Sequence, residues 1–196
     1  MNVDVIEETV RDNPQVPAFR AAVPWSLGIV GRHDEAGRAL DGARRNGFET
    51  PYDVTWLTAN VLWAEAAIRV GDEASAEILY TRLAPWSALN ANPTIASLGA
   101  VAHYLGGLAA TRGDFSVAER HYLQALELHR AWCAPFYVAN TEVALSAMLI
   151  RRADPDDRRR AEVLADTAGG VARAHQYFGV EREAAEVLRS LRLRGA

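Results

Sequence analysis

Apolar positions recur three and four residues apart along almost the whole chain, and the runs break where glycine, Asn-Gly or proline intervenes. That periodicity predicts a succession of amphipathic helices. From Pro17, the residues Phe19, Ala22, Val23, Leu27 and Val30 form one stripe ending at Gly31, and a second helix from about Asp34 turns Ala36, Ala39, Leu40 and Ala43 inward. Pro24 lies inside the first of these and predicts either a kink or the true start of the helix. Asn46-Gly47 ends the second helix. After the Thr50-Pro51 connection, Val54, Leu57, Val61, Ala64 and Ile68 give a third stripe closed at Gly71. Asp72 is placed to cap a fourth helix through Ala76, Leu79, Tyr80 and Leu83, which Pro85 stops. Residues 86–93, from Trp86 to Pro93, read as a loop. Beyond Pro135 a helix carries Val138, Ala144, Leu145, Met148 and Leu149. Asp154, Asp156 and Asp157 then suit the positive N-terminus of the next helix, through Ala161, Leu164 and Ala168, in which Gly169-Gly170 predicts a bend. A last segment, 181–193, sets Ala184, Ala185, Leu188 and Leu191 against arginines on its other side. Residues 1–16, with Asp4, Glu7 and Glu8 before Asn13-Pro14, read as an N-terminal extension or the remnant of an upstream repeat, ahead of a helical domain over 17–196.

Residues 98–126 carry the clearest copy of a repeated unit. Leu105-Gly106, Gly113-Asp114-Phe115, Ala118, Tyr122 and Ala125 describe two helices joined at Gly113. The small Gly106 and Ala118 let two backbones approach, and Leu105, Phe115, Tyr122 and Leu126 fill the space between. The second helix opens on Ser116-Val117-Ala118-Glu119, which has the spacing of a capping box. The same device recurs as Gly31-x-x-x-x-Ala36, Gly71-x-x-x-x-Ala76 and Gly113-x-x-x-x-Ala118, at separations of 40 and 42 residues. Ala161 continues the series if 154–157 is a short insertion. Pro24, Ala64, Gly106 and Ser146 stand at the close-contact position of each first helix. A unit of this kind cannot bury its apolar faces alone, so it implies neighbours.

This order of small and large positions resembles the tetratricopeptide (TPR) consensus, at a period longer than the roughly 34 residues of a plain TPR unit. The larger order of the pieces is similar to the C-terminal helical-repeat region of actinobacterial multidomain signalling regulators, which join an AAA or STAND ATPase to a cyclase-like or LuxR-type output domain. The residues that carry it are Gly31-Arg32-His33-Asp34-Glu35-Ala36, Leu79-Tyr80-x-x-Leu83-Ala84-Pro85-Trp86, Val101-Ala102-His103-Tyr104-Leu105-Gly106, Ala118-Glu119-Arg120-His121-Tyr122 and Asp154-Pro155-Asp156-Asp157-Arg158-x-x-Ala161. The resemblance implies an all-α fold, a right-handed α-solenoid of about four TPR-like helix-turn-helix pairs with a C-terminal capping helix. It implies a non-catalytic protein–protein interaction or ligand-sensing module of a bacterial signalling or transcriptional regulator. ATPase and cyclase activity do not carry over, because the chain has no Gly-x-x-x-x-Gly-Lys-Ser/Thr loop and no lysine at all. After Gly179 there is room for one helix, not for a LuxR-type domain.

The net charge is -4 and every one of the 21 basic residues is arginine, so direct nucleic-acid binding is not expected. Arg158-Arg159-Arg160 and the arginines from Arg182 to Arg194 fall in a region, 151–196, with ten Arg against eight Asp plus Glu, as solvated faces with local ion pairs require. No apolar run reaches the roughly 18 residues of a membrane span. The N-terminus lacks the basic and apolar regions of a signal peptide, and the single Cys133 cannot form an internal disulfide, so a cytoplasmic location without membrane contact is expected.

No catalytic, cofactor or metal motif is present. His33, His103, His121, His129 and His175 include no His-x-x-x-His pair and no cysteine at ligand spacing. Cys133 is expected to be a buried or half-buried structural thiol. Trp25, Trp56, Trp63, Trp86 and Trp132 are expected in core or inter-repeat packing in preference to a ligand pocket. In a TPR array the first helix of each pair lines the concave groove. The register above assigns to it Trp25, Thr58, Val61, Glu65, Arg69, His103, Gly107, Thr111, Asn140, Val143 and Arg151. That mixed lining fits a protein or peptide partner, or a small effector, without the basic clamp that takes acidic peptide ends. The rival readings are an oligomerisation fragment of a truncated regulator, forming a homodimer through an apolar N-terminal edge at residues 1–20, and an enzyme of unrecognised type.

Overall fold

In the computed structural model, which describes residues 2–92 and 97–193, the chain is all-helical. Ten α-helices occupy the described residues: α1 (Val3–Asp12), α2 (Ala22–Ile29), α3 (His33–Arg45), α4 (Trp56–Val70), α5 (Glu73–Leu83), α6 (Val101–Thr111), α7 (Phe115–Ala131), α8 (Pro135–Arg152), α9 (Asp157–His175) and α10 (Phe178–Leu193). Pro93 and Arg194 lie outside the described residues. No helix is long and apolar enough to cross a membrane among those residues. The chain divides into two units, Met1–Gly113 and Asp114–Ala196.

In the first unit, a 3-10 turn (Pro17–Ala21) precedes α2, and Pro24 falls in that helix's first turn, where a missing N–H leaves no hydrogen bond unmade. The proline therefore marks the helix start, not a kink. Asp72 caps α5 as its spacing predicts, accepting from the Ser75 amide at 3.1 Å. Pro85 ends α5 in a second 3-10 turn (Ala84–Trp86). The core gathers Leu40, Phe48, Val61, Trp63, Leu79, Leu83, Leu105 and Leu108, with Phe48 and Trp63 in ring contact at 5.3 Å. A smaller cluster packs Val3 of α1 against Leu27 and Ala36. Arg82 donates to the carbonyls of Phe48 and Gly47 at 2.7 and 2.6 Å, holding the turn after α3. Some stripe assignments fail at the ends of elements. Val54 precedes α4 and is 78% exposed, while Phe19 and Val30 are also exposed.

The segment after Trp86 is more ordered than a plain loop. Its two sides are bonded backbone to backbone, Ala91 N–H to Gly99 O at 2.9 Å, Leu98 N–H to Ala91 O at 2.7 Å and Val101 N–H to Leu89 O at 2.9 Å, around an isolated Asn90–Ala100 bridge. The Tyr104 hydroxyl ties α6 to it by donating to Leu98 O at 2.7 Å.

In the second unit α7, α8, α9 and α10 pack in chain order. The capping box expected at Ser116 to Glu119 does not form. Asp114 is the N-cap residue of α7 and makes no side-chain cap bond. Glu119 instead reaches Arg152 and Arg160. α9 runs unbroken through Gly169-Gly170. On α10, Val180, Ala184, Val187 and Leu191 are the buried positions and Ala185, assigned to the inward stripe, is exposed. Cys133 is exposed, contrary to expectation, because it sits with φ 51° in the turn that ends α7.

The repeated device is present in both units. Ala36, Ala76, Ala118 and Ala161 are each fully buried, and Pro24, Ala64, Gly106 and Ser146 are buried as well. Gly71 and Gly113 adopt φ of 72° and 84°, a conformation that costs any other residue about 1 kcal/mol or more, which is why glycine recurs there. In the fourth copy Ala153 takes this conformation instead, at φ 60°.

Candidate functional site

The groove residues predicted from the sequence separate into three groups. Val61 and Val143 belong to the core, with 0% and 4% exposure. On α6, a helix apolar on nearly all sides, every residue is buried, so His103, Gly107 and Thr111 do not line an open face. The Thr111 hydroxyl donates to Gly107 O on its own helix at 2.9 Å. Gly107 faces Ile68 of α4 so closely that a Cβ would stand 2.9 Å from Ile68 Cγ1. Burial, and secondarily the Arg69 charge, lowers the His103 pKa to about 4, so the ring is neutral at pH 7.

The remaining residues reach solvent. Glu65 and Arg69 pair along α4 at 2.7 Å, and Trp25 and Thr58 are half-buried. The Thr58 hydroxyl oxygen is buried with no hydrogen-bond partner among the described residues. In the second unit Asn140 is half-buried, and the exposed Arg151 lays its guanidinium 5.6 Å from the centre of the Phe115 ring. The structure therefore brings together Glu65, Arg69 and a shielded His103 in one unit, and leaves Asn140 and Arg151 on α8 in the other.

Sequence reasoning passed over a second arrangement in the first unit. Tyr52, Trp56 and Trp86 are mutually in contact, with ring centres 5.2 Å apart for Tyr52–Trp56, 6.2 Å for Tyr52–Trp86 and 6.1 Å for Trp56–Trp86, all tilted or edge-on. With Asp53, Val54, Leu57 and Leu89 they line a cleft of about 320 Å³. Trp56 is the first residue of α4, Trp86 ends the turn after α5, and Leu89 comes from the bonded loop. Leu57 and Trp86 pack against the core cluster, so the floor is fixed.

Local hydrogen bonds hold the rim. Asp53 Oδ1 accepts from the Thr55 amide at 2.8 Å and the Thr55 hydroxyl at 2.6 Å, and the Trp56 amide donates to Asp53 O at 3.1 Å. The Thr55 hydroxyl and amide hold the Asp53 carboxyl below the usual carboxylate range. Tyr52 remains 73% exposed despite its two ring contacts. The Tyr52-x-x-x-Trp56 spacing was a usable signal for half of the cleft. Nothing in the sequence connected either residue to Trp86.

A third arrangement is ionic. In the second unit Arg152 bonds Asp157 twice, Nε to Oδ2 at 2.7 Å and Nη2 to Oδ1 at 2.5 Å, and Glu119 through Nη1 at 2.6 Å. Arg160 joins Glu119 and Asp157 as well. Asp157 is nearly inaccessible, and the network links α7, α8 and α9, so part of the arginine run is engaged in internal pairing. His129, also buried, has Nδ1 3.2 Å from the Thr141 hydroxyl. Among the described residues no group of three or more His, Cys, Asp or Glu is arranged to hold a metal ion.

No protein-family model and no curated protein matches the chain. Among solved structures it is similar to BtubC (BKLC) from P. vanneervenii, at 18% identity and a TM-score of 0.47, over 98% of this chain and 87% of that one.

Proposed function

We propose that the chain is a non-catalytic, TPR-like helical-repeat module, a right-handed α-solenoid of about four helix pairs with α10 as its cap, which holds a protein, peptide or small effector for a bacterial signalling or transcriptional regulator in the cytoplasm. The observation that carries this reading is the recurrence, four times along the chain, of a fully buried alanine early in the second helix, with a small buried residue in the first helix in three copies and the buried Pro24 in the other. Close backbone approach at fixed intervals is what a stacked array of helix pairs requires, and such arrays present their first helices to partners. The Glu65–Arg69 pair on α4, partly accessible, and the exposed Arg151 on α8 are charged groups of those helices through which recognition would act.

The test uses the full chain as bait in an extract of its own cells, beside a double variant, Glu65→Arg with Arg69→Glu. The expected result is a partner retained by the wild type and lost by the variant at unchanged helicity. A partner that binds both equally removes the groove from the reading, and turnover of a substrate by the purified chain overturns its non-catalytic character. Small-angle scattering tests the architecture, since a solenoid predicts a radius of gyration above the roughly 2.2·N^0.38 Å of a globule of the same length.

A further inference from the structure

We propose that the Tyr52–Trp56–Trp86 cleft is a binding site for a small quaternary ammonium compound. Three features of its lining converge on that chemistry. The three rings are inclined to one another and line one cleft, and a ring's electron-rich face, not its electron-poor edge, is what attracts a cation there. Asp53 is the one charged residue among the seven that line the cleft, and it is anionic, so an anion is repelled and a cation is drawn in. The remaining contacts, Val54, Leu57 and Leu89, are apolar and offer no hydrogen-bond acceptor from their side chains, which favours a cation wrapped in methyl groups over one that carries N–H donors.

The helix N-terminus beside the cleft does not reverse this sign. The amides of Thr55 and Trp56 are bonded to Asp53, so the carboxylate is the charge the rim presents. The volume of about 320 Å³ stands at the lower end of small-molecule sites, roughly 300 to 1,000 Å³, and suits a headgroup-sized ligand. The site is also prepared in advance. Its floor packs against the core, its rim is fixed by the Asp53–Thr55 turn, and the wall carrying Leu89 is bonded across Ala91 and Gly99. Tyr52 and Val54 are among the most exposed large hydrophobic residues of the described chain, and as the walls of a filled cleft they would lose that exposure.

This assignment deepens the ligand-sensing side of the proposed function but is tested apart from it, because the cleft variants leave Glu65 and Arg69 untouched. Calorimetric titration of the full chain with choline should show saturable one-to-one binding. The neutral isostere 3,3-dimethylbutan-1-ol should bind about tenfold more weakly or worse, since it keeps the shape and loses the charge. Acetyl-arginine amide should also bind more weakly than choline. Asp53→Asn retains the oxygen that accepts from Thr55 and removes only the charge, so it should weaken choline about five- to tenfold without altering the alcohol. Trp86→Ala should abolish both, with far-UV circular dichroism and the melting temperature as fold controls. Absence of choline saturation in the millimolar range overturns the proposal. Equal binding of choline and the alcohol overturns its cationic part, tighter binding of acetyl-arginine amide overturns the quaternary assignment, and an unchanged choline affinity in Asp53→Asn removes the carboxylate from it.

Discussion

The Ser146 hydroxyl donates to the carbonyl oxygen of Ala161 at 2.8 Å, joining the small position of α8 to the alanine position of α9 where both residues are fully buried. The two positions that the repeat pattern pairs are thus in direct contact in this copy. Ser146→Ala removes one buried hydrogen bond while Ala161 keeps its place in a helix, so a loss of about 1 kcal/mol is expected. Ser146→Leu forces extra methyl groups into the same gap and should cost more, about 1 to 3 kcal/mol. Urea unfolding at constant m-value measures both, and a Leu variant as stable as the Ala variant would contradict close approach at this site.

Arg152 is the hub of the second unit's ion network. Arg152→Met strands Asp157, whose side chain is 2% exposed, with only Arg160 at 3.4 Å and the Asp154 amide as partners. A loss of about 3 kcal/mol is expected, since breaking a buried pair leaves an uncompensated charge. Arg152→Met combined with Asp157→Leu should recover part of it. Equal stability of the single and double variants would show that the stranded carboxylate is not the cost.

The same network predicts acid sensitivity. Hydrogen bonds from Arg152 hold the Asp157 carboxyl below its ordinary range, and Glu119, although burial pushes it up, is held below its own by Arg160 and Arg152. A depressed folded-state pKa contributes stability that is complete above the unfolded value, about 4. That contribution is lost as the pH falls through the folded values. The difference in unfolding free energy between wild type and Asp157→Asn should therefore shrink below about pH 4. A difference that stays constant from pH 6 to pH 2 would remove the network from the explanation.

His103 acts at higher pH. Its folded pKa of about 4 lies below the unfolded value of 6.5, so the unfolded chain takes up a proton that the folded chain refuses. Stability from this source is complete above pH 6.5 and declines toward pH 4, with a slope approaching about 1.4 kcal/mol per pH unit. In His103→Gln that slope should flatten. Parallel pH profiles for the two proteins between 6.5 and 4 would exclude His103 as its source.

Gly107 faces two opposing effects. Alanine improves helix propensity by about 1 kcal/mol. Its Cβ would meet Ile68 Cγ1 at 2.9 Å and crowd the whole Ile68 side chain, an overpacking that costs about 1 to 3 kcal/mol. Net destabilisation is expected for Gly107→Ala, relieved by a second change, Ile68→Val. Thermal melts of the single and double variants measure both, and a stabilised Gly107→Ala would mean that α4 and α6 approach less closely than this geometry requires.

Much of the helix order was legible because it depends on short-range rules. Gly71 with its following Asp72 cap, Asn46-Gly47 and Pro85 each terminate or start a helix through backbone preferences that act within a few residues. The buried alanines were legible for a related reason, since a residue chosen for smallness at a regular interval announces close approach. The Glu119 capping box failed because the same spacing serves a second purpose, and Arg152, 33 residues later, offered the carboxylate a better partner than a backbone amide. The few polar residues of α6 can be laid along one face, which is why the sequence assigns His103, Gly107 and Thr111 to a groove. Burial of the whole helix depends on what surrounds it, and no local signal carries that.

The sequence by itself determined the order of most of the helices and the burial of Ala36, Ala76, Ala118 and Ala161, because propensity, capping and periodicity act within one or two turns. Only the tertiary structure decided that Trp56 and Trp86 meet Tyr52 around one cleft, that Arg152 joins Glu119 to Asp157, and that His103 is shielded from protons. Each of those depends on side chains distant along the chain converging, and the free energy of such a meeting resides in the packing of whole helices, not in any segment read alone.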